Sequence, residues 1–360
     1  MLRRPGSRSH PVRSCLRGAC APHGCTPKLG KPNASPVQAA LAAYLAMQDG
    51  DRRPRWAAIT GSSWSEPQSA ARRSFWTSPR GQPLKVNRYA EAGAFLQATE
   101  SWLAAAEVEN NVILNIARSV ADGGRTLREP PYFAAAIDGD EIDCCAARTP
   151  PHVLLITDGS SSGLTALAGD VFDAMGRVPG VVGPHSAPAA FAAAWLRRAG
   201  GRGSVRMRQR LYKIERVDTG LAKVDGQLRE ATPRDRDLAL HWCTAFAREA
   251  VPNHPSDVED TVDRHLKCGT LYFWDDGRPV TMCASPAGSA RINLVYTPPD
   301  RRRRGYATAA VAALSRQLLE SGGQYCCLYA DLANPISNSI YQRIGYRPVC
   351  DFEEYEFAAQ

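Results

Sequence analysis

Two stretches of this chain run in the same register at a constant offset. Gly139 stands where Gly277 stands, Ile142 where Val280, Cys145 where Cys283, and the run 153–157 where 291–295. Such a register predicts a tandem duplication: 360 residues divided into two related units, each of ordinary domain size. A single small module is excluded. The pattern of each unit is mixed, with helical and strand periods following one another, so the expected class is α/β, a mixed sheet with flanking helices.

In the first unit, Phe95, Leu96, Trp102, Leu103, Ile113 and Leu114 sit at helical spacings. A strand-turn-strand follows over 132–147 with Asp138-Gly139 at its tip, then a buried-strand run over 153–157. Helices are predicted over 164–175 and 187–198, and a strand over 205–217. This unit is assigned to residues 83–217, with a linker over 218–226.

The second unit spans 227–360. A short strand at 228–231 precedes Thr232-Pro233-Arg234-Asp235, a helix start with a capping residue, a proline in the first turn and an acid behind it. Ser256 followed by Glu259 has capping-box spacing and opens a second helix. Strands are predicted over 270–274, 279–284, 291–297, 324–330 and 348–357. Between them lie a long helix over 305–321 and a short one from Pro335. Read this way, 227–360 is a self-contained unit.

Net charge narrows the partners. Of 44 Lys and Arg against 36 acids, residues 1–82 hold 13 basic residues against only Asp49, Asp51 and Glu66, leaving a nearly neutral remainder. The basicity belongs to an Arg-, Ser- and Pro-rich leader that reads as disordered and dispensable for catalysis. Organelle targeting is one reading of that leader and an appended start is the other; cytoplasmic residence is the expectation. Nucleic acid is not expected as a partner, because few aromatics interleave the basic residues. The apolar runs 39–47 and 189–196 fall short of the roughly 20 residues that cross a bilayer, so no membrane span is expected. Eleven scattered cysteines suggest no disulfide framework. Cys15, Cys20 and Cys25 recur near His10 and His23, but at a spacing unlike zinc pairs, so no metal is expected.

The segment from Asn293 to Thr308 reads as a strand, a sharp turn and a helix start. Such a turn offers successive backbone N–H groups and the positive end of a helix dipole to an anion, a pyrophosphate among them. A four-arginine run alone would be an ordinary solvated patch. The block from Asn334 to Tyr346 adds the second element.

Together these blocks resemble the GNAT superfamily of acyl-CoA-dependent N-acyltransferases. Arg302-x-x-Gly305-x-Ala307 is similar to the family's Gln/Arg-x-x-Gly-x-Gly/Ala phosphate loop, with Ala in place of the second Gly. Asn334-Pro335, followed by Tyr341-x-x-Ile344-Gly345-Tyr346, is similar to its end-of-strand asparagine, short helix and Tyr-x-x-x-Gly-Phe/Tyr signature. The resemblance covers 270–357 specifically and 227–270 more loosely. It implies tandem GNAT-like domains in which acetyl-CoA is the co-substrate and a small-molecule or peptide amine is the acceptor, acetylated by direct attack in a ternary complex.

By that resemblance, Val295, Tyr296 and Thr297 lie along the pantetheine, and Arg302, Arg303, Arg304, Gly305, Tyr306, Ala307 and Thr308 surround the pyrophosphate. Tyr341 donates a proton to the departing thiolate, or else is a half-buried packing tyrosine. Asn334 contacts the cofactor or caps the short helix. Asp331 is the best placed carboxylate for a general base, with a loop-stabilising acceptor as its other reading. Glu230 is the runner-up for that base; His254 lines the acceptor side or is a turn histidine with no role.

The first unit departs from the pattern. After its strand comes Asp158-Gly159-Ser160-Ser161-Ser162-Gly163, without the phosphate-loop spelling. It reads as a degenerate copy that has lost CoA. The rival to the enzyme reading is a catalytically silent CoA-binding sensor or scaffold whose basic leader attaches it to nucleic acid.

Overall fold

The protein is described here from a computed structural model, which describes residues 84–358 apart from 125–126, 253–256 and 287. The leader with its three cysteines, and His254 and Ser256 in the second unit, lie outside the described residues. All described residues fall within one compact unit.

The first half runs β1 (Lys85–Tyr89), α1 (Ala92–Ala104), α2 (Glu107–Ala121), β2 (Tyr132–Asp138), β3 (Glu141–Arg148), β4 (Leu154–Ile156), α3 (Ser161–Met175), β5 (Gly180–Pro184), α4 (Ala187–Ala199) and β6 (Arg202–Ile214). The second runs β7 (Gln227–Glu230), α5 (Arg236–Ala250), α6 (Val258–Lys267), β8 (Leu271–Asp275), β9 (Pro279–Ala284), β10 (Asn293–Tyr296), α7 (Tyr306–Glu320), β11 (Cys326–Asp331), α8 (Pro335–Ile344) and β12 (Arg347–Ala358).

Strand alternation builds two cores in each half. In β2, Phe133 and Ala135 pack with α1 and α2, while Ala134 and Ala136 pack with α3 and α4. In the second half, Phe273 faces α5 and α6, and Tyr272 and Trp274 face α7 and α8. A strand covered on both faces must be apolar at every position, which is why β2 reads as a continuous apolar run. At the helix start expected from Thr232, Thr232 and Asp235 form a capping box. Among the described residues, α6 is capped by Asp257, whose side chain accepts from the Asp260 N–H.

The two halves exchange their last strands. The large sheet has the order β1-β2-β3-β4-β5-β12-β6-β11, and β10-β9-β8-β7 form a second sheet. Strand β6 of the first half therefore lies between β11 and β12 of the second, and β12 lies between β5 and β6 of the first. This corrects the expectation that 227–360 is self-contained, because a strand from outside that range separates β11 from β12. Register between β6 and β12 is held by cross-strand ion pairs, Arg208 with Glu353 at 2.8 Å and Arg210 with Asp351 at 2.6 Å.

Strand β5 had no sequence signal, since Gly-Val-Val-Gly-Pro looks like a turn. Its glycines answer to crowding: a Cβ at Gly180 would strike the backbone of Tyr355 on β12, and one at Gly183 would come within 2.7 Å of Ile156 on β4.

Candidate active site

Strands β10 and β11 run parallel and touch only at their beginnings. The Ile292 N–H donates to the Cys327 carbonyl at 2.8 Å, and the Cys327 N–H donates to the Ala290 carbonyl at 3.0 Å. Beyond that apex the strands belong to different sheets. Leu294 adopts a φ of 50° and the β10–β9 register shifts between Asn293 and Tyr296, so β10 carries a bulge at the mouth of the opening. The result is a V-shaped cleft with Val295, Tyr296 and Thr297 along one arm and Leu328 to Asp331 along the other. Backbone groups at such unpaired edges call for hydrogen-bond partners.

The cleft leads to the arginine-rich turn. After a 3-10 turn at Pro299–Arg301, Arg303 and Gly305 adopt φ values of 64° and 83°, and Gly305 is the N-cap of α7. No side chain caps this helix, so the N–H groups of its first turn, Tyr306, Ala307 and Thr308, stay open to a ligand. Arg303 and Arg304 are exposed and make no ion pair among the described residues. Arg302 is differently employed: its Nε donates to the Thr297 carbonyl at 2.8 Å and its guanidinium pairs with Glu249 at 2.5 Å. It braces the turn against β10 and α5. The Tyr306 hydroxyl donates to Asp276 at 2.7 Å.

Helix α8 forms the wall beyond β11. Asn334 is its N-cap, the Oδ1 accepting from the Ser337 N–H at 3.1 Å. Tyr341 is buried, between Tyr212 and Tyr346 with ring centroids 6.4 and 6.1 Å away. Its hydroxyl has no hydrogen-bond partner among the described residues. Burial, and secondarily the neighbouring Cys283, pushes the Tyr341 phenol well above its ordinary value. Asp331, at the end of β11, accepts from the Ala333 N–H at 2.9 Å through Oδ1 and supports the loop. Glu230 is exposed on β7, three strands from β10 in the small sheet, roughly 14 Å away at the usual strand spacing, and cannot serve the cleft.

Tyr212, Asn338 and Glu249 were not singled out from the sequence. The Tyr212 hydroxyl donates to Asn338 Oδ1 at 2.8 Å, and Asn338 Nδ2 donates to the carbonyls of Asp331 and Asn334, each at 2.8 Å. This network fastens α8 to the ends of β6 and β11. Only Asn338, inside the Asn334–Tyr346 block, carried a local signal.

The corresponding place in the first half is closed. There β4 and β5 pair in parallel, Leu154 with Val181 and Leu155 with Val182, so no cleft opens. At the start of α3 the Ser160 side chain accepts from the Gly163 N–H at 3.0 Å. The Asp143 carboxylate accepts from the Ser160 N–H at 3.2 Å and from its hydroxyl at 2.9 Å. A Cβ at Gly163 would collide with that carboxylate. An internal anion thus occupies the position that an external one would need.

Among the described residues, no three His, Cys, Asp or Glu side chains group as metal ligands, and no helix is long and apolar enough to cross a membrane.

Residues 272–357 match the model of the FR47-like protein family. No curated protein matches the chain. Among solved structures the chain is similar to a Drosophila protein from a structural genomics programme, at 9% identity and a TM-score of 0.56, covering 76% of this chain and 98% of that one. It is also similar to a GCN5-related N-acetyltransferase from Sphaerobacter thermophilus, at 17% identity and a TM-score of 0.48, covering 76% and 94%. A tandem GNAT protein from the clavulanic acid biosynthesis pathway is similar at 12% identity and a TM-score of 0.47, covering 77% and 99%. At 9% identity the likeness to the Drosophila protein is one of fold.

Proposed function

We propose that the chain, whose residues 272–357 match the FR47-like model, is an N-acetyltransferase that takes one acetyl-CoA in the β10–β11 cleft and passes the acetyl group to a primary amine. The observation that carries this reading is the opened strand pair leading to an uncapped helix N-terminus. An extended, amide-bearing pantetheine suits two unpaired strand edges, and a pyrophosphate suits the open N–H groups of α7 with Arg303 and Arg304 beside them.

In the transfer, the neutral amine attacks the thioester carbonyl, and the oxyanion takes a hydrogen bond from a backbone N–H at the β10 bulge. The tetrahedral centre collapses, the carbon–sulfur bond breaks and the thiolate receives a proton from Tyr341. A phenol whose affinity for its proton is raised by burial is present in the protonated form throughout the neutral range. Asp331, whose Oδ2 accepts no hydrogen bond among the described residues, is the carboxylate to which this reading assigns the proton that the amine loses.

Calorimetric titration with acetyl-CoA, followed by thiol release across a panel of primary amines, tests the reading. Binding without release for any amine would favour a silent CoA-binding protein. Absence of binding would remove the assignment.

A further inference from the structure

On the face of the large sheet covered by α2, a pocket of about 330 Å³ lies over the centre of the exchanged strands. It shares no residue with the turn 302–308 or with α8; Tyr329, on the β11 arm of the cleft, also lines it. Its walls are mostly apolar: Val112, Ile113 and Ile116 of α2 face Val153, Leu155 and Phe352 of the sheet. Its volume is at the lower end of the roughly 300–1,000 Å³ typical of small-molecule sites.

Most polar groups at the pocket are satisfied within the protein. Glu354 is held by Arg206 through two contacts of 2.8 and 2.7 Å. The Tyr329 hydroxyl accepts from Asn111 at 3.1 Å, and Thr157 bridges the Cys145 N–H and the Asp158 carbonyl at 2.9 Å each. Arg291 is not satisfied in this way. Its guanidinium makes no ion pair among the described residues, and its Nε is shut away from solvent with no acceptor. A buried donor left without a partner is costly and needs an explanation.

We propose that this pocket binds a small organic monocarboxylate with an apolar body, its carboxylate on Arg291 and its body against α2. A planar guanidinium fits a carboxylate with two parallel hydrogen bonds. Charge disfavours a phosphate or dicarboxylate: Arg291 is the one guanidinium in the lining, while Glu109 and the Arg206-paired Glu354 line it too, so a second negative charge would be desolvated beside carboxylates. The inference does not depend on the acetyltransferase reading.

The test uses the full chain and 3-(4-fluorophenyl)propanoate at millimolar concentration, read by broadening of its fluorine signal. The expected result is binding that acetyl-CoA does not displace and that 4-fluorophenethylamine, with a similar body but no carboxylate, does not compete for. Arg291→Gln should weaken binding at least about tenfold, the loss expected for a hydrogen bond to a charged group. Ile113→Trp, which fills the pocket from α2 and leaves Arg291 in place, should abolish it. Absence of binding, equal competition by the amine, displacement by acetyl-CoA, or unchanged binding to either folded variant would overturn the proposal.

Discussion

The hydroxyl of Tyr212, on a strand of the first half, donates to Oδ1 of Asn338 at 2.8 Å, in the helix of the second half that carries Tyr341. Gln342 reaches the same hydroxyl at 3.3 Å. A buried tyrosine from the first half thereby sets the position of a helix in the second, and the two halves form one folded unit.

Truncation to residues 227–360 should therefore fail. It removes β5 and β6, leaving β12 without either of its strand neighbours and β11 without its ladder, and uncovering the apolar floor under α8. The expected outcome is an aggregating fragment that binds no acetyl-CoA, measured by light scattering and calorimetry. A soluble monomeric fragment with full affinity would show that the exchanged strand is dispensable.

Tyr341→Phe separates chemistry from packing. The ring and its contacts with Tyr212 and Tyr346 remain, so acetyl-CoA affinity should stay within a few-fold while turnover falls about 10²- to 10⁴-fold. Because burial raises the affinity of the phenol for its proton, no falling limb of the pH–rate profile below about pH 10 should belong to this residue. Wild-type turnover in the variant would make Tyr341 a packing residue.

What was legible in the sequence was local. The turn before α7 and the Asn334–Tyr346 block depend on neighbours within one strand-turn-helix, where residue type and spacing carry the geometry directly. Strand exchange depends on which of two chemically similar edges β6 and β12 choose, and ion pairs such as Arg210 with Asp351 join residues far apart in sequence. Strand β5 stayed hidden because close packing demanded glycine where a strand signal would need side chains. The role of Arg302 was legible only as a motif position; the structure gives its guanidinium to Thr297 and Glu249.

Gly305→Glu tests the turn. The position has a φ of 83°, and a Cβ there would sit 3.0 Å from Val224. A glutamate also brings negative charge to the N–H groups proposed for the pyrophosphate. Loss of measurable acetyl-CoA binding in a variant with an unchanged far-ultraviolet spectrum is the expected result, and unchanged affinity would refute the placement.

His265 predicts a pH-dependent stability. Burial, reinforced by Arg264 and Arg291, lowers its pKa to about 4 from an ordinary 6.5, so the folded state favours the neutral ring more than the unfolded chain does. The unfolded chain binds the extra proton first as pH falls. Stability from this group is fully present above about pH 6.5 and is lost progressively down to about pH 4, an effect of roughly 3 kcal/mol. Urea melts of wild type and His265→Gln across that window should differ in slope, the variant being flatter. Parallel curves would show that His265 does not set the dependence.

The closed half predicts the stoichiometry. A second cofactor would need both an opened strand pair and a free helix N-terminus; β4 pairs with β5, and Asp143 occupies the start of α3. Titration should therefore give one acetyl-CoA per chain. Asp143→Ala removes the internal anion but leaves β4 and β5 paired, so the count should remain one. The loss should appear instead in stability, by about 1–2 kcal/mol, because the Ser160 N–H and hydroxyl lose their acceptor and the positive end of α3 loses its counter-charge. Two cofactors bound to wild type would refute the closure of the first half. A second cofactor appearing only in Asp143→Ala would show that the carboxylate alone, without the strand pairing, kept the site shut.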